Sequence, residues 1–453
     1  MRNKSSAGVR GPARVLGFVL LCLVTVPGYG CTITIGGGVT ENDGAATTDE
    51  APMLPEPAVW YVEPDELTPE QQQRKDEVDR FLAERYRDYN IVEATQGYSG
   101  DIYYWADSTT LPNSYAVPPP PPWTPEDLLL PPGVEIAQTE LELYPELRGQ
   151  PGTTPIPRPD YSRYIMGSTD AGSLKDYIEA YQIPGMPEGQ NRLYAGLHSL
   201  LPSMGVSGIV NQFHAEIEPG TFSLIELAVG CPLFGPMVEQ IGVAISLDRA
   251  NPANRKGDVL DGKPRLRIEY YTQGAGHAGD RIGGWDELQA GFVPYPGRKY
   301  GPGAPVPVSV IGGAQVEHRI DIFQSASGDW WIAHNTNLLG HYPASLFKML
   351  NGGACRAAWY GEVFDPTPTT WTSNDMGSGQ FASAGYPKAA YVRNPRYFDL
   401  FYKPWYPALD TDDMWLKPYV AACYTRSLLL TGATPWDRVI YLGGPGGGAA
   451  GCN

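Results

Sequence analysis

The sequence predicts an all-β protein whose main domain is an antiparallel β-sandwich, preceded by a smaller α+β segment. The 453-residue chain contains 53 glycines and 44 prolines, and this turn-rich composition favours short strands over a helical bundle. Beyond about residue 161, apolar runs alternate with Gly, Pro and Asn turns, and few helical stripes intervene. A hydrophobic fraction of 42% is enough for a substantial core and excludes a chain that is disordered throughout.

The N-terminus has the pattern of an export signal. Residues 1–30 carry basic residues followed by the apolar run 15–26, which is too short to span a bilayer and is typical of a secretory signal. Gly28, Gly30 and Cys31 resemble the end of a bacterial lipoprotein signal, in which Cys31 would carry the lipid. Ordinary signal cleavage nearby is the alternative. Both predict an extracytoplasmic protein, either secreted or held at a membrane (periplasmic, outer-membrane or cell-surface).

Three further regions follow the signal. Residues 31–57 are rich in Gly, Thr and acidic residues and predict a flexible tether. Residues 58–160 predict a folded segment with a helix that begins after Thr68, which forms a capping box with the Gln three residues later. Prolines recur from 118 to 159, and they predict an extended, accessible linker. The sandwich is expected to comprise residues 161–453.

Charge and motif content exclude several function classes. The 33 basic and 50 acidic residues give a net charge of −17, which argues against nucleic-acid binding because phosphate recognition needs a cationic face. The sequence has no G-x-S-x-G or H-E-x-x-H motif, and its histidines lack close metal-ligand spacing. We therefore expect no cofactor and no metal.

Four cysteines remain once Cys22 of the signal and Cys31, the candidate for lipidation, are set aside, namely Cys231, Cys355, Cys423 and Cys452. They are far apart and lack paired C-x-x-C spacing, which disfavours a structural zinc site. An even number of cysteines in an exported chain predicts disulfides.

Two glutamates lie alone within apolar, strand-like runs. Glu239 lies in the run 237–245, and Glu362 lies in the run 357–363. A buried carboxylate is costly unless it is paired, so each glutamate either points outward from its strand or is kept for its chemistry. The outward orientation is the simpler structural explanation.

A series of ordered motifs carries a family resemblance from about residue 190 to the C-terminus. The motifs are Asn191–His198, Arg265–Thr272, Trp330–Ile332, Leu339–Phe347, Tyr360–Val363, Met376–Gly379, Lys388–Asn394 and Gly443–Gly446. In this order they are similar to signatures of the neprosin family of glutamic peptidases. The resemblance implies a jelly-roll-like β-sandwich, with residues 58–160 as an activation segment.

The resemblance also implies which residues catalyse the reaction. The family's two catalytic glutamates correspond to Glu239 and Glu362, and the Gly-Glu-Val context of Glu362 is intact. Gln-Ile-Gly follows Glu239 where the family often has Ala-Gly-Trp, so Glu226 is the alternative counterpart. Asp375 would add a third carboxylate if the strands align. Two close carboxylates share one proton at mildly acidic pH, so one is the acid and the other the base.

The resemblance suggests an endopeptidase that cleaves proline-containing proteins or peptides at acidic pH. It further implies a Cys423–Cys452 disulfide, which leaves Cys231 and Cys355 for a second bridge. Two alternatives to this function stay open at this stage. One is a glycoside hydrolase with paired glutamates, and the other is a noncatalytic secreted binding module.

The linker before the sandwich is a potential substrate of the same chain. A tethered proline-rich stretch is present at high effective concentration. We therefore expect self-cleavage at low pH, with a new N-terminus between Trp123 and Tyr161. A permanent N-terminal domain is the alternative.

Overall fold

The computed structural model describes residues 53–60, 66–112, 117–120, 124, 128–167, 172–182, 191–231, 239–249, 261–272, 282–288, 290–365, 373–407 and 422–447. All of them belong to one unit, Ala51–Asn453. The export signal, most of the tether, Cys31 and Cys452 lie outside the described residues. No helix within the described ranges is both long and apolar enough to cross a bilayer.

Strands predominate among the secondary-structure elements. The helices are α1 (Pro69–Arg85), α2 (Glu140–Leu143), α3 (Ser162–Ile165) and α4 (Leu174–Gln182). The strands are β1 (Ile91–Gln96), β2 (Ile102–Asp107), β3 (Val134–Ile136), β4 (Thr153–Pro157), β5 (Asn191–Ser199), β6 (Gly205–Asn211), β7 (Thr221–Cys231), β8 (Glu239–Arg249), β9 (Asp261–Tyr271), β10 (Gly283–Trp285), β11 (Val293–Pro294), β12 (Gln315–Gln324), β13 (Trp330–His334), β14 (Asn337–Tyr342), β15 (Arg356–Asp365), β16 (Ala390–Phe398), β17 (Pro404–Trp405), β18 (Thr425–Leu430) and β19 (Arg438–Gly443). The all-β class expected from the turn-rich composition is confirmed.

The N-terminal part packs helices on a small sheet. Helix α1 begins with the expected capping box, in which Thr68 Oγ1 accepts the Gln71 N–H at 3.3 Å and Gln71 Oε1 accepts the Thr68 N–H at 2.8 Å. Its buried Val78 and Leu82 belong to the same apolar cluster as residues of the antiparallel sheet β1-β2-β4. The N-terminal part therefore combines helices and strands, within the same unit as the large sheets.

The short helices α3 and α4 extend this segment further along the chain than expected. Tyr164 of α3 and Tyr177 of α4 lie in the same apolar cluster as Val78 and Leu82. The expected boundary at residue 161 therefore falls inside the N-terminal packing unit, and the large sheets begin at β5. Helix α3 has only four residues, too few to show a period, but Leu174, Tyr177, Ile178 and Tyr181 of α4 follow helical spacing, a signal that could have predicted this helix.

The expected proline-rich linker is also largely folded. Strand β3 pairs in parallel with β12, and Leu141 of α2 is buried in the main core. Strand β4 is the edge strand of the N-terminal sheet. An edge strand tolerates Pro155 and Pro157 because one of its sides has no ladder partner. Pro155 and Pro157 therefore mark a sheet edge, whereas the described prolines 118–120 lie in no helix or strand.

The remaining strands form two antiparallel sheets that share one core. The six-stranded sheet has the order β10-β9-β8-β7-β15-β5, and the larger sheet has the order β11-β14-β13-β12-β6-β16-β19-β18, with β17 on β16. Residues of both sheets alternate into a single apolar cluster, for example Leu227 and Val243 from the first and Val210 and Ile322 from the second. The shared core is consistent with a β-sandwich and leaves one face of the six-stranded sheet for other contacts.

Candidate active site

Strand alternation places two glutamates on the face of the six-stranded sheet that points away from the main core. Ile225 and Leu227 enter the main core, so Glu226 between them points to the opposite face. On the neighbouring strand β15, Trp359 and Val363 point inward and Glu362 points outward.

The pairing register brings these two glutamates close together. Tyr360 lies opposite Glu226, and Glu362 lies opposite Leu224. Glu226 and Glu362 are therefore diagonal neighbours on adjacent strands, about 7–8 Å apart at their Cα atoms, a separation that long side chains can bridge. Glu226 is 1% exposed and Glu362 is 4% exposed.

Glu239, expected to be the first catalytic glutamate, lies elsewhere. It shares the inward face of β8 with Ile241 and Val243, because alternate residues of a strand point to the same face. Its carboxylate accepts backbone N–H groups from three consecutive residues, Lys348 at 2.8 Å, Met349 at 2.6 Å and Leu350 at 2.8 Å. The structure thus does not bring Glu239 and Glu362 together, and the expectation that they form the pair fails on strand geometry. Glu226, the alternative counterpart, lies beside Glu362.

Arg192 of β5 balances the negative charge of Glu362. Its Nη1 donates to Glu362 Oε1, and the Tyr194 hydroxyl donates to the same oxygen at 3.4 Å. The guanidinium carbon of Arg192 lies 5.4 Å from the Phe222 ring centroid and 5.2 Å from that of Phe364. These cation–π contacts fix the guanidinium against the carboxylate.

Glu226 has the opposite electrostatic environment. Burial is the largest cause that raises its pKa well above the usual value, and the nearby Glu269 and Glu362 raise it further. A hydrogen bond from Tyr360 acts in the opposite direction and lowers the pKa of Glu226. Its buried Oε1 meets no donor among the described residues. Glu226 therefore holds its proton where an ordinary carboxyl would have lost it.

A third carboxyl, that of Glu269 on β9, joins those of Glu226 and Glu362, and these three residues form the acidic group. Glu269 is 5% exposed, and it accepts Gln240 Nε2 on Oε1 at 2.8 Å and the Tyr271 hydroxyl on Oε2 at 3.0 Å. Burial, followed by the charge of Glu362, raises the pKa of Glu269 to about 7. Sequence reasoning missed this role, although Glu269 lies within one of the family-like motifs.

Asp375 was the residue expected to supply a third carboxylate. Its carboxylate instead accepts the backbone N–H of Glu216 at 3.3 Å, and its own N–H donates to the Glu216 carbonyl at 2.8 Å. These contacts tie Asp375 to the loop that precedes β7. It takes no part in the acidic group.

A disulfide joins the two strands that carry the glutamate pair. Cys231 at the end of β7 is bonded to Cys355, which directly precedes β15, with a Cα–Cα distance of 5.0 Å. Cys423 is also disulfide-bonded, but its expected partner Cys452 lies outside the described residues. The Cys423–Cys452 pairing stays a prediction.

The acidic group has the composition of an acid–base site. Among the described residues, no three His, Cys, Asp or Glu side chains are placed to hold a metal ion. One carboxylate paired with a guanidinium and one protonated carboxyl on the same buried face can accept and donate a proton, respectively.

A protein-family model matches part of the chain. The Neprosin family model matches residues 259–445, which is less than half of the chain. This match bears out the resemblance to the neprosin family over these residues. The matched range includes Glu269 and Glu362, whereas Glu226 precedes it.

Two solved structures are among those similar to the chain. One is scytalido-glutamic peptidase with a transition-state analogue inhibitor, at 9% identity and a TM-score of 0.27, with 56% of this chain and 98% of that chain covered. The other is SCP-B, a member of the eqolisin family of peptidases in complex with the tripeptide Ala-Ile-His, at 9% identity and a TM-score of 0.25 with the same coverage. At TM-scores this low, the roles of the site residues rest on the geometry of this chain alone.

Proposed function

We propose that the protein is an exported glutamic endopeptidase in which Glu362 is the general base and Glu226 the general acid, and that it cleaves next to proline at acidic pH. The observation that carries the proposal is the position of both carboxyls on one buried face of adjacent strands. Their different surroundings give them different roles. Arg192 pairs with the charge of Glu362, whereas burial keeps Glu226 protonated.

Hydrolysis then proceeds without a covalent enzyme intermediate. Glu362 takes a proton from a water molecule as the water oxygen bonds to the carbonyl carbon of the substrate. The bond from that carbon to the peptide nitrogen breaks, its electron pair stays on nitrogen, and Glu226 donates a proton to that nitrogen. Transfer of the proton from Glu362 back to Glu226 restores the starting state.

The N-terminal segment supports a role in controlling access. Both catalytic carboxyls are nearly inaccessible in the full chain. The segment contacts the strand next to the site through an ion pair of 2.9 Å between Asp101 and Arg265 and a hydrogen bond of 2.7 Å from Lys263 to the Ser99 carbonyl. We assign residues before β5 as an activation segment on this basis.

Export is supported by sequence features and by the disulfide chemistry. The apolar run before Cys31 is typical of a signal peptide, and the Cys231–Cys355 bridge belongs to an oxidising compartment. Attachment of a lipid at Cys31 would hold the enzyme at a membrane. Replacing Cys31 with Ala should release the protein from the membrane fraction, and the same distribution for both proteins would argue against lipidation.

The test of the proposed function is a digest of an unstructured proline-rich protein at pH 4 and pH 7, read by mass spectrometry. Wild-type protein should release peptides that end next to proline at pH 4, whereas Glu226→Gln and Glu362→Gln should release none. Glu239→Gln is the matched control and should remain active per folded molecule. Peptides released equally by Glu226→Gln would show that Glu226 is not the acid. Release of sugars from a polysaccharide incubated in parallel would instead favour the glycosidase alternative.

A further inference from the structure

The acidic group contains a gap that lets two carboxyls meet across a whole strand. Glu226 on β7 and Glu269 on β9 are separated by β8, which has Gly242 at the facing position, opposite Glu269. A Cβ atom at Gly242 would lie 2.0 Å from Glu226 Oε1 and 2.9 Å from Glu269 Cγ. Any side chain there would displace Glu226. A glycine within a strand often marks such a close approach.

We propose that Glu269 is a positioning residue for the catalytic acid: fixed by Gln240 and Tyr271, it hydrogen-bonds Glu226 across the gap at Gly242 and keeps the proton on Glu226. This inference rests on the proposed function, since it assigns a partner to the acid of that mechanism. Glu269 itself need not contact the substrate.

The donors around the two carboxyls indicate which one carries the shared proton. Both oxygens of Glu269 accept hydrogen bonds, from Gln240 Nε2 and from the Tyr271 hydroxyl, and these donors favour its ionised form. The Oε1 atom of Glu226 points at the gap and meets no donor in the described part of the chain. A hydrogen bond between two carboxyls requires one of them to be protonated. Glu226 is the one whose surroundings disfavour charge.

Charged and titratable groups on every neighbouring strand act on this pair. They are Arg192 and Tyr194 on β5, Tyr360 and Glu362 on β15, and Tyr271 on β9. Glu362 raises the pKa of both Glu226 and Glu269, whereas Arg192 lowers that of Glu269. Arg192 and the hydrogen bonds from Tyr271 and Gln240 therefore favour the ionised form of Glu269.

The charge of Glu269 affects the ionisation of Glu226. Burial and the charge of Glu362 raise the pKa of Glu269 to about 7, and burial and the charge of Glu269 raise the pKa of Glu226 well above its usual value. The negative charge gained by Glu269 opposes ionisation of Glu226, because like charges at short range raise a pKa. Removing the Glu269 charge should therefore lower the pKa of Glu226, and the acid would be lost at lower pH.

The experiment follows the infrared carbonyl band of protonated carboxyls in the full-length chain as a function of pH. Glu226→Gln identifies the Glu226 component. In Glu269→Gln, that component should disappear at a pH lower than in the wild type by about one pH unit or more. Gly242→Ala should move it in the same direction, because the added Cβ forces the carboxyls apart. Gly352→Ala, with no atom within 4 Å of its added Cβ, is the matched control and should leave the band unchanged.

Activity gives a second readout that separates the two proposals. The alkaline limb of the kcat/KM profile should move to lower pH in Glu269→Gln. At pH values above the limb, the rate should fall about tenfold for each pH unit by which the limb moves. An unchanged Glu226 band in Glu269→Gln would overturn the positioning role, even if Glu226→Gln is inactive. Full activity of Glu226→Gln would instead overturn the proposed function, whatever the band shows.

Discussion

Replacing Glu239 with Gln should destabilise the protein without abolishing hydrolysis. The Glu239 carboxylate accepts three backbone N–H groups, one on Oε1 and two on Oε2. A Gln side chain has one acceptor oxygen, so it can keep at most two of these bonds, and its NH₂ group then faces the third donor. We therefore expect a destabilised loop at residues 348–350 and an intact acidic group on the opposite face of the sheet.

The magnitude follows from the number of hydrogen bonds lost. Losing one bond to a charged acceptor costs about 1.5–3 kcal/mol, and the remaining bonds weaken when the acceptor becomes neutral. The free energy of unfolding should fall by about 2–4 kcal/mol in total. Urea unfolding followed by tryptophan fluorescence measures this change. Glu135→Gln on strand β3 is the matched control. Because Glu135 is exposed, its substitution should leave the urea midpoint unchanged.

The second measurement is hydrolysis per folded molecule under conditions where both variants are folded. Glu239→Gln should match the wild type, since its side chain lies on the core side of β8 and the catalytic carboxyls lie on the other. A folded Glu239→Gln protein with wild-type stability but no activity would refute this reasoning and restore Glu239 to the site.

Three further predictions concern catalysis, processing and stability. The double variant Glu226→Gln/Glu362→Gln should be little slower than either single variant, because acid and base act as one unit. A rate loss in the double variant equal to the product of the two single losses would contradict this. Incubation at pH 4 should give a new N-terminus between α4 and β5 rather than between Trp123 and Tyr161, because β3, α2 and β4 in that interval are already paired or packed. N-terminal sequencing checks this, and equal cleavage of Glu362→Gln incubated alone would exclude self-processing. Replacing Cys231 and Cys355 together with Ser should lower the free energy of unfolding by about 2–4 kcal/mol, and an unchanged urea midpoint would argue against the bridge.

The sequence alone indicated the fold class and the resemblance to the neprosin family. Apolar runs between Gly and Pro turns predict antiparallel strands because each strand needs a turn to reverse direction, and β5 to β19 follow that pattern. The capping box at Thr68 is a local hydrogen-bonding motif, so it could be predicted without any tertiary contact. Glu362 was found through its Gly-Glu-Val motif for the same reason, since the motif is contiguous in the chain.

Tertiary structure decided which residues accompany Glu362. A strand exposes alternate residues on opposite faces, so one position separates a core-facing glutamate from one in the site, and the choice depends on which face the core covers. That choice put Glu239 under the loop at 348–350 and Glu226 beside Glu362. Glu269 joined them only because pairing across β8 brings Gly242 between two strands that are distant in sequence. The pairing register of the strands and the face on which each side chain lies depend on contacts between distant segments. The linear sequence pattern does not contain those contacts.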